Sequence, residues 1–108
     1  MRMGDKLYLI VRSDLPLGAQ AVQAAHAMRG FVAEHPEVER EWFEQSNYLA
    51  LLESPDEPSL TRLAEDATRR GFRVSLFREP DRDNEVTAIA LEPAAKRLVQ
   101  RLPLALRS

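Results

Sequence analysis

Along this chain, short unbroken apolar runs alternate with longer stretches of helical period. Residues 7–11 form a continuous apolar run, as in a strand covered on both faces. Pro16 and Gly18 punctuate a turn, and an alanine-rich stretch over 19–34 predicts a helix whose core stripe is Val22, Ala25, Met28 and Val32. Pro36 ends it, and a short helical piece over 37–45 carries Trp42 and Phe43. Residues 47–52 read as a second strand. Ser54-Pro55-Asp56-Glu57 then has the form of a capping box with Ser54 at the cap. Leu60, Leu63, Ala64 and Ala67 make the buried stripe of the helix that follows. Arg69 and Arg70 suit its negative end, and Gly71 suits its C-terminal cap.

Residues 72–77 predict a third strand. The turn from Glu79 to Asn84 is too short for a crossover helix, so a fourth strand over 86–91 returns antiparallel. Pro93 opens a last amphipathic helix with Ala95, Leu98, Val99 and Leu102 on one face, stopped by Pro103. This order predicts one domain over residues 1–108: a three-layer α/β/α sandwich with a four-stranded mixed sheet and an antiparallel last strand.

Composition narrows the chemistry. The chain has no cysteine, which excludes disulfides, thiol nucleophiles and cysteine-based metal sites. No apolar run approaches the roughly 20 residues that span a bilayer, and residues 1–6 form no hydrophobic leader, so no membrane partner and a cytoplasmic location are expected. The formal net charge of −2 supplies no global positive field to draw in nucleic acid. Lys6 and Lys96 are the only lysines among 15 basic residues, so the remaining cations are arginines, suited to gripping phosphate in a fork.

The candidate chemistry gathers where the first strand meets the first helix. A helix N-terminus facing the end of a buried strand favours anionic ligands. Gln23 and His26, three residues apart, project from nearly the same helix face. His26 has the residue type of a general acid or base near neutral pH, or of a half-buried helix residue bonded to a carbonyl. Asp14 either orients a water or caps the helix, and the cap is expected. Glu79, Asp81 and Asp83 crowd one turn, but this is ordinary turn composition. No metal is expected there, and Glu79 alone stands as a site residue. His35, before Pro36, reads as structural. Trp42, Phe43 and Tyr48 either stack on a base or serve as core or dimer contacts. No Ser-His-Asp triad, phosphate-binding loop or dinucleotide fingerprint is present.

The set Lys6, Val11, Arg12, Ser13, Asp14, Leu15, Gly18, Gln23, His26 and Ala27 resembles the signature of the peptidyl-tRNA hydrolase 2 family. Phe77-Arg78-Glu79 followed by residues 86–93 resembles that family's last hairpin, with its arginine-acid pair and strand threonine. The resemblance covers nearly the whole chain. It implies a cofactor-free esterase that cleaves the ester between peptide and tRNA, and a homodimer. It implies catalytic roles for His26, Glu79 and Thr87, and binding of peptidyl-tRNA or another phosphate-bearing ligand by Arg12, Asp14, Gly18, Gln23 and Arg78. One residue departs from the pattern: the resemblance puts a lysine early in the first helix, where this chain has Ala19. Arg12 or Arg29 could substitute as a phosphate clamp but not as a proton shuttle. A non-catalytic module of the same fold, recognising an RNA end, a nucleotide or a protein, is the alternative. A hydrolase of some other small ester or amide is a third.

Overall fold

The computed structural model describes residues 2–107. Four strands, β1 (Lys6–Arg12), β2 (Tyr48–Ser54), β3 (Val74–Glu79) and β4 (Glu85–Leu91), form one sheet in the order β2-β1-β4-β3. β1 pairs parallel to β2, and β4 runs antiparallel to both β1 and β3. The carboxyl ends of β1, β2 and β3 therefore share one edge of the molecule, where ligands of open α/β sheets bind. Helices α1 (Leu17–Glu34) and α2 (Pro36–Gln45) cover one face; α3 (Glu57–Arg69) and the short α4 (Lys96–Val99) cover the other. The mixed-sheet α/β/α sandwich predicted from the sequence is the observed fold.

Strand alternation divides the core. Leu7, Leu9 and Val11 of β1 pack with Ala24, Ala27 and Phe31 of α1 and Trp42 of α2. Tyr8 and Ile10 pack with Leu60, Ala64 and Ala67 of α3 and with Ala95 and Val99 at the closing helix. That closing helix is shorter than expected: Pro93–Ala95 form a 3-10 turn, and only Lys96–Val99 are α-helical.

Several local expectations shift. The buried residues of α1 are Gln20, Gln23, Ala24, Ala27 and Phe31, whereas Val22 is 53% exposed. The predicted stripe of Val22, Ala25, Met28 and Val32 is thus rotated by about one position. Apolar pattern misled here because a polar residue, Gln23, finds hydrogen-bond partners on the sheet and turns that face inward. Asp14 does not cap α1, which has Pro16 at its N-cap and no side-chain cap bond. The carboxylate instead grips Arg12.

The cap of α3 is Asp56 rather than Ser54, with its carboxylate accepting from Ser59 N–H at 2.9 Å. Ser54 is the last residue of β2. At the other end Gly71, at φ +87°, follows the expected terminator pattern. Its N–H reaches Thr68 O, and Phe72 N–H reaches Ala67 O, the paired bonds of a Schellman ending. β3 begins two residues later than predicted as a result.

The β3–β4 connection holds the feature that matters most for the site. Phe77 pairs with Ala88 and Arg78 with Val86, so Thr87 stands unopposed in a β-bulge. Regular alternation would put Thr87 on the side of Ile89, which packs in the α3 cluster. The extra residue instead turns Thr87 to the α1 side.

Candidate active site

α1 runs across β3, and three contacts mark its course. Gln23 meets Glu79, His26 lies on Phe77, and His35 reaches Val74 O at 2.9 Å. The last of these gives His35 the structural role expected of it, beside the ring of Phe31.

Gln23 is the hinge of the candidate site. Its side chain is buried, and both ends of the amide are engaged. The Thr87 hydroxyl donates to Gln23 Oε1 at 2.7 Å, while Gln23 Nε2 donates to Glu79 Oε1 at 3.1 Å. A hydroxyl below and a carboxylate above fix the amide's orientation, and the amide in turn holds one oxygen of Glu79. Glu79 Oε2 has no hydrogen-bond partner among the described residues. Thr87 is fully buried and acts on this site through Gln23.

His26, one turn after Gln23, is exposed, and its ring stacks on Phe77 with centroids 4.3 Å apart and planes 9° apart. Neither ring nitrogen has a hydrogen-bond partner among the described residues. The ring plane is set by stacking, and both nitrogens stay available to a ligand. Phe77 did not stand out in the sequence on its own. The signal that could have found it is strand periodicity, because residues 77 and 79 share a face.

The other residues singled out from the sequence lie elsewhere. Arg12 continues the Tyr8–Ile10 side of β1, the side covered by α3. Its buried guanidinium bonds both Asp14 oxygens at 3.0 and 2.9 Å, Glu85 Oε1 at 2.7 Å and Val86 O at 3.3 Å. Hydrogen bonds from Arg12 hold the Asp14 and Glu85 carboxyls below the usual carboxylate range, and the bonds it donates to Asp14 chiefly raise the guanidinium. Arg78 lies on the opposite face of β3 from Glu79, beside Thr61 and Glu65 of α3, and bonds Asn84 O at 3.3 Å. Gly18 is exposed in the first turn of α1, which carries no acidic residue. The structure thus joins Gln23, Glu79 and Thr87, with His26 beside them, and keeps Arg12, Asp14 and Arg78 apart from that group.

Among the described residues, no group of three His, Asp or Glu side chains is arranged to hold a metal. Nor, among the described residues, is any helix long and apolar enough to cross a membrane. A cavity of about 530 Å³ lined by Arg2, Asp5, Val38, Glu41, Glu92 and Pro93 lies at the opposite ends of the strands.

Comparison with known proteins gives two results. The family model described as peptidyl-tRNA hydrolase PTH2 matches residues 5–107. Among solved structures, a protein of unknown function from Agrobacterium tumefaciens strain C58, Atu0240, superposes with a TM-score of 0.66 at 19% identity. The match covers 94% of this chain and 98% of that one, a likeness of fold. Comparison with curated protein sequences returns no match.

Proposed function

The chain belongs to the peptidyl-tRNA hydrolase PTH2 family, and on that premise we propose that it hydrolyses the ester joining a peptide to the terminal ribose of tRNA. The observation that carries the proposal is the Thr87–Gln23–Glu79 chain of hydrogen bonds with His26 exposed one turn away.

Glu79, with one oxygen held by Gln23 and the other free of partners among the described residues, accepts a proton from the attacking water. The water oxygen bonds to the ester carbonyl carbon, and collapse of the tetrahedral intermediate breaks the bond to the ribose oxygen. His26 donates a proton to that departing oxygen, giving a peptide carboxylic acid and a free ribose hydroxyl. No step calls for a cofactor.

Release of peptide from N-blocked aminoacyl-tRNA by purified protein, beside its His26→Ala variant, is the direct test. Turnover at least about 100-fold lower in a folded variant supports the role of His26; undiminished turnover removes it.

One observation favours the alternative of a binding module: Ala19 occupies the place that the family resemblance gives to a lysine. Ligand binding with no hydrolysis by either protein would establish that second reading. Exposed Phe43, Tyr48 and Leu49, near the start of β2, support association of two copies, which a stable monomer in sedimentation would remove.

A further inference from the structure

We propose that α1 from Val22 to Arg29 carries the last nucleotide of a single-stranded RNA end, with the base stacked on His26 and its phosphate on Arg29. The proposal rests on the esterase reading above and assigns the direction of the strand across the site.

The His26 ring is exposed although one of its faces lies flat on Phe77. Its opposite face is free for a third planar group, and stacking on aromatic side chains is how proteins hold unpaired bases of any sequence. Two neighbours on the same helix frame that face. Val22, four residues before, is 53% exposed and offers apolar contact to the base edge. Arg29, three residues after, is exposed and has no ion-pair or hydrogen-bond partner among the described residues. Arg12, by contrast, spends its guanidinium on Asp14 and Glu85.

The order along the helix fits one nucleotide. Arg29 and Gln23 are six residues apart, about 9 Å of helix rise, a gap that an extended nucleotide, shorter than this from its phosphate to its far ribose oxygen, covers together with the reach of the arginine side chain. A phosphate at Arg29 and a base on His26 leave the ribose ester beside Gln23 and Glu79, where the hydrogen-bonded carboxylate stands. With a net charge of −2, the chain has no global field to hold RNA, so a local contact of this kind has to supply the affinity.

The test measures binding of a short single-stranded RNA bearing a non-hydrolysable 3′-amide-linked N-acetyl amino acid, by fluorescence anisotropy across salt concentrations. The proteins are the wild type, His26→Ala, His26→Phe and Arg29→Ala, with circular dichroism as the fold check. His26→Phe keeps a stacking face and discards the ring nitrogens. It is expected to bind as the wild type does while losing hydrolysis, a split between binding and turnover that a merely structural role would not produce. His26→Ala is expected to bind about 5- to 100-fold more weakly. Arg29→Ala is expected to flatten the slope of log affinity against log salt by about 0.7.

Wild-type affinity in both alanine variants, affinity in His26→Phe as low as in His26→Ala, or no RNA binding by the wild type would each overturn the proposal. Hydrolysis of peptidyl-tRNA alongside RNA binding indifferent to His26 and Arg29 would remove this inference and leave the esterase standing. RNA binding that depends on both residues, without hydrolysis, would do the reverse.

Discussion

Two polar networks lie near the carboxyl ends of β1 and β3, and they differ in what they leave unused. In one, Arg12 is buried and its guanidinium is divided between Asp14, Glu85 and a backbone carbonyl. Opposite charges meet, and the guanidinium donors and both Asp14 oxygens are engaged, which ties the turn after β1 to the start of β4. In the other, a neutral amide, Gln23, spans a hydroxyl and a carboxylate, and the carboxylate keeps one oxygen free of partners among the described residues. His26 beside it keeps both nitrogens free of partners among the described residues. A closed network braces; an open one on a braced support can do chemistry.

The sharpest way to break this comparison is at the open network. Glu79→Gln keeps the shape and a partner for the Gln23 amide but removes the proton acceptor. Turnover of N-blocked aminoacyl-tRNA is expected to fall by about 100-fold or more, with little change in the urea midpoint. An active variant would take Glu79 out of the chemistry.

At the closed network the order reverses, with stability the larger effect. Arg12→Ala removes the buried cation that Asp14 and Glu85 share and leaves Glu85 only Arg82, at 3.7 Å. A loss of about 2 kcal/mol is expected, the exposure of both partners keeping it below the range of fully buried pairs. Urea denaturation measures it, and an unchanged midpoint would show the brace to be idle.

Thr87→Val tests the joint between scaffold and site. It is nearly isosteric and strips the buried Gln23 oxygen of its donor, at an expected cost of about 1–2 kcal/mol. Turnover should fall less than in Glu79→Gln, because Thr87 acts only through the amide. A loss of turnover as large as that of Glu79→Gln would mean that the hydroxyl meets substrate.

The smallest effect is set by pH. The folded-state pKa values of Asp14 and Glu85 lie below their unfolded values. Their contribution is therefore complete above the unfolded range, about 3.9 to 4.3, and is lost as pH falls through the folded values. The stability gap between wild type and Arg12→Ala is expected to narrow between pH 7 and pH 3 in urea titrations. A gap that stays constant would mean the lost stability came from packing alone.

Element order, the mixed sheet, the antiparallel return and the Gly71 ending were legible in the sequence because they depend on local chemistry: apolar runs, prolines, a turn too short to cross over, a glycine able to take a positive φ. So were His26, Gln23 and Glu79 as residue types worth following. What apolar periodicity could not give was the rotation of α1. Burial of Gln23 is repaid only by Thr87 and Glu79, which are 64 and 56 residues away in the chain. Nor could it give the β-bulge that turns Thr87 toward α1, or the pairing of Arg12 with Glu85. The sequence by itself determined the layers of this protein and the kinds of side chain its site can draw on. Tertiary structure alone decided which of them meet, because a hydrogen bond or a stacked ring depends on register and rotation between elements that no local pattern records.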